Sequence, residues 1–223
     1  MGRRWGYFAA LVGAVCVAFI ASMVFFRQER TVRSDVIQGF LIGYGLAFAT
    51  AQAYARIRAT RVNGWVTMAG LGRPGSGMLF RAAAAQLFPG PVNSPEEAVY
   101  WWATADGTGR PLDGRNAYTL HFPPGSLPPN NAFWSLTMGD GRNRLVPNPL
   151  SRYSLGDRSG LVPNADGSVD ICLQQAAPEG GESNWLPAPP GRFILWLRVY
   201  EPAPAILDGT YRPPPVARTA GRP

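Results

Sequence analysis

The stretch 117-AYTLHFPPGSLPPNNAFWSLTMGD-140 decides the fold. Tyr118, Leu120 and Phe122 alternate with Ala117, Thr119 and His121, and after a Pro/Gly break Trp134, Leu136 and Met138 alternate with polar or small residues. Period-two alternation bounded by Pro, Gly, Asn and Asp is the pattern of half-buried β-strands. The same texture continues downstream. Asp166–Gly167 marks a tight turn into 168-SVDICLQQ-175, where Val169, Ile171 and Leu173 share one face. In 193-FILWLRVYEP-202, Phe193, Leu195, Leu197 and Val199 form one face and Ile194, Trp196, Arg198 and Tyr200 the other. Apolar groups on both faces predict a central strand covered on both sides, ended by Pro202 and Pro204. Upstream, 98-AVYWWATAD-106 is aromatic-rich and reads as a further strand. Pro95 then opens only a turn. Strands of this length joined by Pro/Gly-rich loops predict a mainly β domain, a β-sandwich of jelly-roll-like type with a few flanking helices.

The N-terminus has a different character. Residues 5–26 contain no charged side chain and are flanked by Arg3, Arg4 and Arg27. About 20 apolar residues cross a bilayer core as a helix. No A-x-A-like site follows, as a cleaved signal peptide requires. The sequence therefore predicts an uncleaved transmembrane anchor within residues 1–33, with the membrane as partner through residues 5–26. A second uncharged run, 36-VIQGFLIGYGLAFATAQAYA-55, carries two readings. It is long enough to span. Its periodicity also suits a helix packed on the domain through Ile37, Leu41, Tyr44, Phe48 and Ala51, capped by Ser34 or Asp35 and closed by Arg56, Arg58 and Arg61. With the packed helix, the domain faces the periplasm from a bacterial inner membrane. With a second span, it returns to the cytoplasmic side. Met78 to Phe88 is a short Ala-rich helix stopped by Pro89–Gly90–Pro91. The expected organisation is a tail and anchor over 1–33, a helical lead-in over 34–92, a sandwich over 93–216 and a disordered tail over 217–223.

Composition excludes several classes. The chain of 223 residues carries a formal charge of +7, and all 21 basic residues are Arg. Those residues are scattered, with no basic stripe interleaved with aromatics, so nucleic-acid binding is not expected. His121 is the single histidine, and Cys16 and Cys172 are the two cysteines. Together they build no zinc site within one chain, and no metal or other cofactor is expected. A Ser–His–Asp triad has only His121 to draw on, and its place in the alternation suits a solvated strand face.

The motifs 112-LDGRNAYTLHFPPGSLPPNNAFWSLTM-138, 148-NPLSRYSLGDR-158, 164-NADGS-168, 183-SNWLPAP-189, 193-FILWLRVYEP-202 and 207-LDGTYRPPP-215 occur in an order that resembles the domain of unknown function 1214 family. Upstream, 63-NGW-65, 81-RAAAA-85 and 95-PEEAVY-100 are similar to its N-terminal part. The resemblance covers roughly Val36 to Val216 and implies a jelly-roll-type sandwich with flanking helices. Long relatives carry a 1254-type unknown-function domain ahead of this one; here a membrane anchor is expected in its place. The resemblance implies that 36–55 is the helix leading into the domain, and it carries no catalytic constellation.

Candidate site residues come from the loops, where a rigid scaffold places functional groups. Arg152, Tyr153 and Asp157 lie on one loop with Asn148; Asn184 and Trp185 lie on another. If the loops gather at one end of the sandwich, Arg152 supplies a charged donor fork, Asn184 a neutral hydrogen-bonding group and Trp185 a wall. The bland alternative is that Asn and Asp make turns, that Arg152 and Asp157 form a structural ion pair, and that Trp134, Trp185 and Trp196 fill core or anchor loops. Three functions follow. One is a membrane-anchored cell-envelope binding or interaction module for a glycan, lipid or protein. Another is a hydrolase on a small or glycan substrate using Asp113, Asp157 or Asp166, although no spacing pairs them. The last is a self-assembling structural subunit.

Overall fold

The computed structural model describes residues 32–68, 70, 72–73, 75–78, 81 and 92–219. The expected anchor at 5–26 lies outside these residues, as does most of the expected helix from Met78 to Phe88. The chain divides into two units, Met1–Ala59 with Pro74–Val92, and Thr60–Arg73 with Asn93–Pro223.

In the first unit, helix α1 runs over Val32–Arg58, with Asp35 in its first turn and Arg56 and Arg58 in its last. These charges complement the helix dipole. The predicted packing face is not buried along its length. Ile37, Leu41, Tyr44 and Phe48 are exposed, and only its C-terminal part, at Ala51 and Ala55, is buried. The physical reason is that α1 has no single apolar stripe. Phe40 and Leu46 project from different sides and both are exposed. Phe40, Tyr44 and Phe48 stack on one another at successive i, i+4 positions, with centroids 6.4 Å apart.

The second unit is the predicted β-sandwich. One sheet has six strands in the order β1-β2-β3-β9-β5-β6, the other four in the order β10-β4-β7-β8. The strands are β1 (Thr60–Val62), β2 (Trp65–Thr67), β3 (Ala98–Ala103), β4 (Tyr118–Phe122), β5 (Asn130–Asp140), β6 (Ser154–Gly156), β7 (Val169–Gln174), β8 (Trp185–Pro187), β9 (Phe193–Pro202) and β10 (Val216–Arg218). All pairings are antiparallel except β7 with β8. The alternation read from the sequence points the right way. Tyr118, Leu120, Phe122, Ile171 and Leu173 from one sheet meet Trp134, Leu136, Met138, Leu195 and Leu197 from the other in a common core. Phe122 against Trp134, centroids 5.6 Å apart, and Tyr118 edge-on to Phe193 at 5.7 Å join the two layers. Strand β9 is central, bonded to β3 on one side and β5 on the other.

Two boundaries differ from the sequence prediction. The lead-in 34–92 is not wholly helical, because β1 and β2 form a hairpin at the edge of the six-stranded sheet. Its two-residue loop is Asn63–Gly64, with φ of 52° and 85°, the conformation that Asn-Gly favours in tight hairpins. Gly64 is required twice over, since a Cβ there would lie 2.7 Å from the Asp106 carbonyl. The expected disordered tail over 217–223 is corrected at its start. Ala217 and Arg218 belong to β10, which pairs with β4, and Val216 is buried. The Pro-rich approach obscured this strand. It is held in place by Asn63 Nδ2 and Trp65 Nε1, which donate to the carbonyls of Pro213 (2.9 Å) and Pro214 (2.7 Å). Helix α2 (Pro204–Leu207) is one turn that follows β9.

Candidate functional site

Asn148 shapes the loop that presents Arg152. Its Oδ1 accepts from the amides of Leu150 (3.2 Å) and Arg152 (3.0 Å), and its Nδ2 donates to the Arg152 carbonyl at 2.8 Å. Arg152 Nη1 then donates to the carbonyls of Glu182 and Trp185, the latter at 2.8 Å. Asn184 brackets Val162, accepting from its amide at 2.9 Å and donating to its carbonyl at 2.8 Å. Trp185 is buried, and its Nε1 donates to the Gln174 carbonyl at 2.9 Å. Tyr153 is half-buried on the strand-side end of the loop, where its carbonyl accepts from Met138. The structure thus brings Arg152 to Trp185 and the Asn184 loop. Asp157 is not part of that contact. It starts a 3₁₀ turn and accepts from the Trp134 amide at 3.4 Å. The expected Arg152–Asp157 ion pair is absent among the described residues, because the guanidinium is turned to two carbonyls instead. The polar groups of this cluster are taken up by the protein's own backbone.

Four other carboxylates serve their own loops. Asp113 is held down to about 2 by the side chain and amide of Arg115. Asp140 is held down to about 2 by the Arg144 amide and guanidinium, the latter 2.7 Å away. Asp166 sits below its ordinary value because the Ser168 hydroxyl and amide donate to it. Burial raises Asp106, yet the donors Thr108 and Arg110 outweigh it and the net shift is downward. His121 Nδ1 lies 2.7 Å from Asp170 Oδ1, directly across the β4–β7 register and in solvent. Burial pushes the Cys172 thiol up, away from the reactive thiolate. Among the described residues no three His, Cys, Asp or Glu side chains are placed to hold a metal ion.

A second candidate lies on the outer face of the six-stranded sheet. Registers place Tyr100, Arg198 and Ser135 in one row, with Trp102, Trp196 and Thr137 in the next. Tyr200 and Phe133 follow on the other side of Arg198. Trp102 and Trp196 lie 5.9 Å apart between centroids, and Phe133 stacks on Tyr200 at 4.3 Å. Arg198 is half-buried, its guanidinium 5.9 Å from the centroid of the Trp196 ring and its Nη1 donating to Thr137 Oγ1 at 2.9 Å. Arg158 lies over the Phe133 ring at 4.4 Å. Tyr100 is raised by burial and feels Tyr200, Arg198 and Glu97. Sequence reasoning placed Arg198 on this face but looked for function in loops. The signal was a lone charge inside a strand with aromatic neighbours at i±2, Trp196 and Tyr200.

Two solved structures resemble this chain. The VPA0106 protein from Vibrio parahaemolyticus has a solved structure similar to this chain, with a TM-score of 0.61 and 22% identity over 87% of this chain and 47% of its own. An uncharacterized protein from Burkholderia cenocepacia matches at a TM-score of 0.41 and 16% identity, covering 99% of this chain and 53% of its own. The chain spans about half the length of these two proteins. The first likeness supports the sandwich-like fold. No curated protein matches the chain. Residues 97–204 match the family model described as "Protein of unknown function (DUF1214)". That segment, which runs from the turn before β3 into α2, is the part of the chain that resembles the DUF1214 family.

Proposed function

We propose that this protein is a membrane-attached binding module, in which α1 enters the bilayer and the β-sandwich carries the ligand. The observation that supports it is the exposure of α1. Asp35–Arg58 is long and apolar enough to cross a membrane, and Phe40 (70%) and Tyr44 (65%) stand open to solvent. A helix apolar on several sides belongs in a protein core or a membrane, and these side chains are not in a core. Residues 36–55 carry no charge. At 1.5 Å per residue they extend about 30 Å, the thickness of the hydrocarbon layer. Binding is favoured over catalysis because Asp106, Asp113, Asp140 and Asp166 are each tied to their own turns.

With residues 5–26 as a first span and α1 as a second, Arg3, Arg4, Arg56, Arg58 and Arg61 lie on one side and Arg27, Arg30 and Arg33 on the other. The excess of basic residues favours the cytoplasm for the first group, and with it the β-sandwich. A reporter pair fused after Pro223 in the full chain tests this, together with Gln28→Cys labelled by an impermeant maleimide in spheroplasts. The expected result is a fluorescent cytoplasmic reporter, an inactive exported phosphatase and labelling of position 28 without lysis. An active phosphatase, or labelling only after lysis, overturns the two-span arrangement.

A further inference from the structure

The outermost strand of a sheet leaves half of its backbone groups without a ladder partner. Strand β10 ends the four-stranded sheet and pairs only with β4. In an antiparallel ladder, alternate residues turn their N–H and C=O groups to the neighbour, and the residues between turn theirs away. Thr219 donates its amide to the Ala117 carbonyl at 3.0 Å, so Thr219 and Ala217 face β4. Val216 and Arg218 therefore face outward. The Val216 carbonyl accepts from the Gly107 amide at 2.9 Å. The Arg218 amide and carbonyl have no partner among the described residues.

A cleft of about 670 Å³ opens at this edge, lined by residues 215–219 together with Asp106, Thr108 and Arg110. Asp106 is 2% exposed and fixes the shape of the far wall. Its Oδ1 accepts from the Thr108 amide (2.9 Å), the Thr108 hydroxyl (2.7 Å) and the Arg110 amide (3.0 Å). Its Oδ2 has no partner among the described residues, which leaves an acceptor for an N–H from outside. Arg110 and Arg218 are exposed, and among the described residues neither has a carboxylate within 4 Å. The Arg218 guanidinium donates to the neutral amide of Asn116. Two cations against one buried carboxylate leave the cleft net positive.

We infer that the open edge of β10 is a docking site for an extended peptide that carries an acidic side chain. A peptide residue opposite Arg218 exchanges both N–H···O bonds with it, adding a strand to the four-stranded sheet. The acidic side chain takes the guanidinium of Arg110 or Arg218. Gly107 already sits at Val216, so the docked strand pairs at the Arg218 end. The inference rests on the β domain being a binding module and not on its membrane attachment, which the fusion and labelling experiment tests separately.

The test uses the full chain in a neutral detergent at low ionic strength, titrated by ligand-observed NMR with three blocked pentapeptides. These are acetyl-TVEVT-amide, acetyl-TVKVT-amide, and the first peptide N-methylated at its three central residues. The glutamate peptide is expected to bind at least about 5-fold more tightly than the lysine peptide, a preference that shrinks on adding salt. N-methylation is expected to cost at least about 5-fold, because it removes the donors that pair with the edge. Proline is tolerated where a strand's N–H faces solvent, so Arg218→Pro keeps the pairing with β4 and is expected to lose at least about 5-fold in affinity for the glutamate peptide. No binding of the glutamate peptide, equal affinity for the glutamate and lysine peptides, equal affinity after N-methylation, or unchanged affinity in a folded Arg218→Pro protein overturns the inference. The three-peptide comparison is made on the unmodified protein, so it decides the matter even where the substitution impairs folding.

Discussion

Arg152 and Trp185, 33 residues apart in the chain, are joined by a 2.8 Å hydrogen bond from the guanidinium of one to the carbonyl of the other. The bond ties the loop before β6 to the start of β8, so two segments from different sheets are held by one side chain. Replacing Arg152 with Gln leaves two carbonyls short of a charged donor. A loss of about 1–3 kcal/mol is expected, read as a lower unfolding temperature of the full chain. A variant as stable as the natural chain would show that this bond does not hold the two segments together.

Asp113 and Asp140 both ionise in the folded chain at about 2, well below their ordinary value of 3.8. A depressed carboxylate contributes stability above its unfolded value and loses it as pH falls through its folded value. The advantage of the natural chain over Asp140→Asn is therefore expected in full above pH 3.8, shrinking as pH approaches 2. Unfolding temperatures of the two proteins across this range check the sign. A difference that grows on acidification contradicts the assignment.

Ending the chain at Pro214 removes β10 and its pairing with Tyr118, Thr119 and Leu120. Val216 is 1% exposed, and burial of such a side chain is worth about 1.5–3 kcal/mol. The truncated protein is expected to be less stable by at least that amount, with faster amide exchange at Thr119, whose partner across the ladder is Ala217. A truncated protein as stable as the full chain would return 217–219 to the status of a loose tail.

The core strands were legible because each alternates over enough residues to define a face. In β4, β5, β7 and β9 the apolar positions are those that are buried. Three-residue strands offer no period to read. The hairpin of β1 and β2 was announced only by Asn63–Gly64, and β10 follows three prolines, so its identity depends on β4 lying beside it. Helix α1 was legible as a helix, but periodicity alone said nothing about the exposure of Phe40 and Tyr44. The loop residues were placed correctly on loops. Their hydrogen bonds to Glu182, Val162 and Gln174 are tertiary facts that spacing does not encode. Arg198 was assigned the right face, while its hydrogen bond to Thr137 on the neighbouring strand is a tertiary fact.

The central place of β9 sets the order in which the protein is made. Strands β3 and β5 do not touch each other in the ladder, since β9 is inserted between them. The six-stranded sheet therefore has no middle until residues 193–202 are synthesised. Pairings this far apart in sequence close slowly. The six-stranded sheet can close only after β9 has left the ribosome, long after α1 has done so. Helix α1 is therefore complete while the β domain is still unfolded, and the folding of the two becomes separable in time.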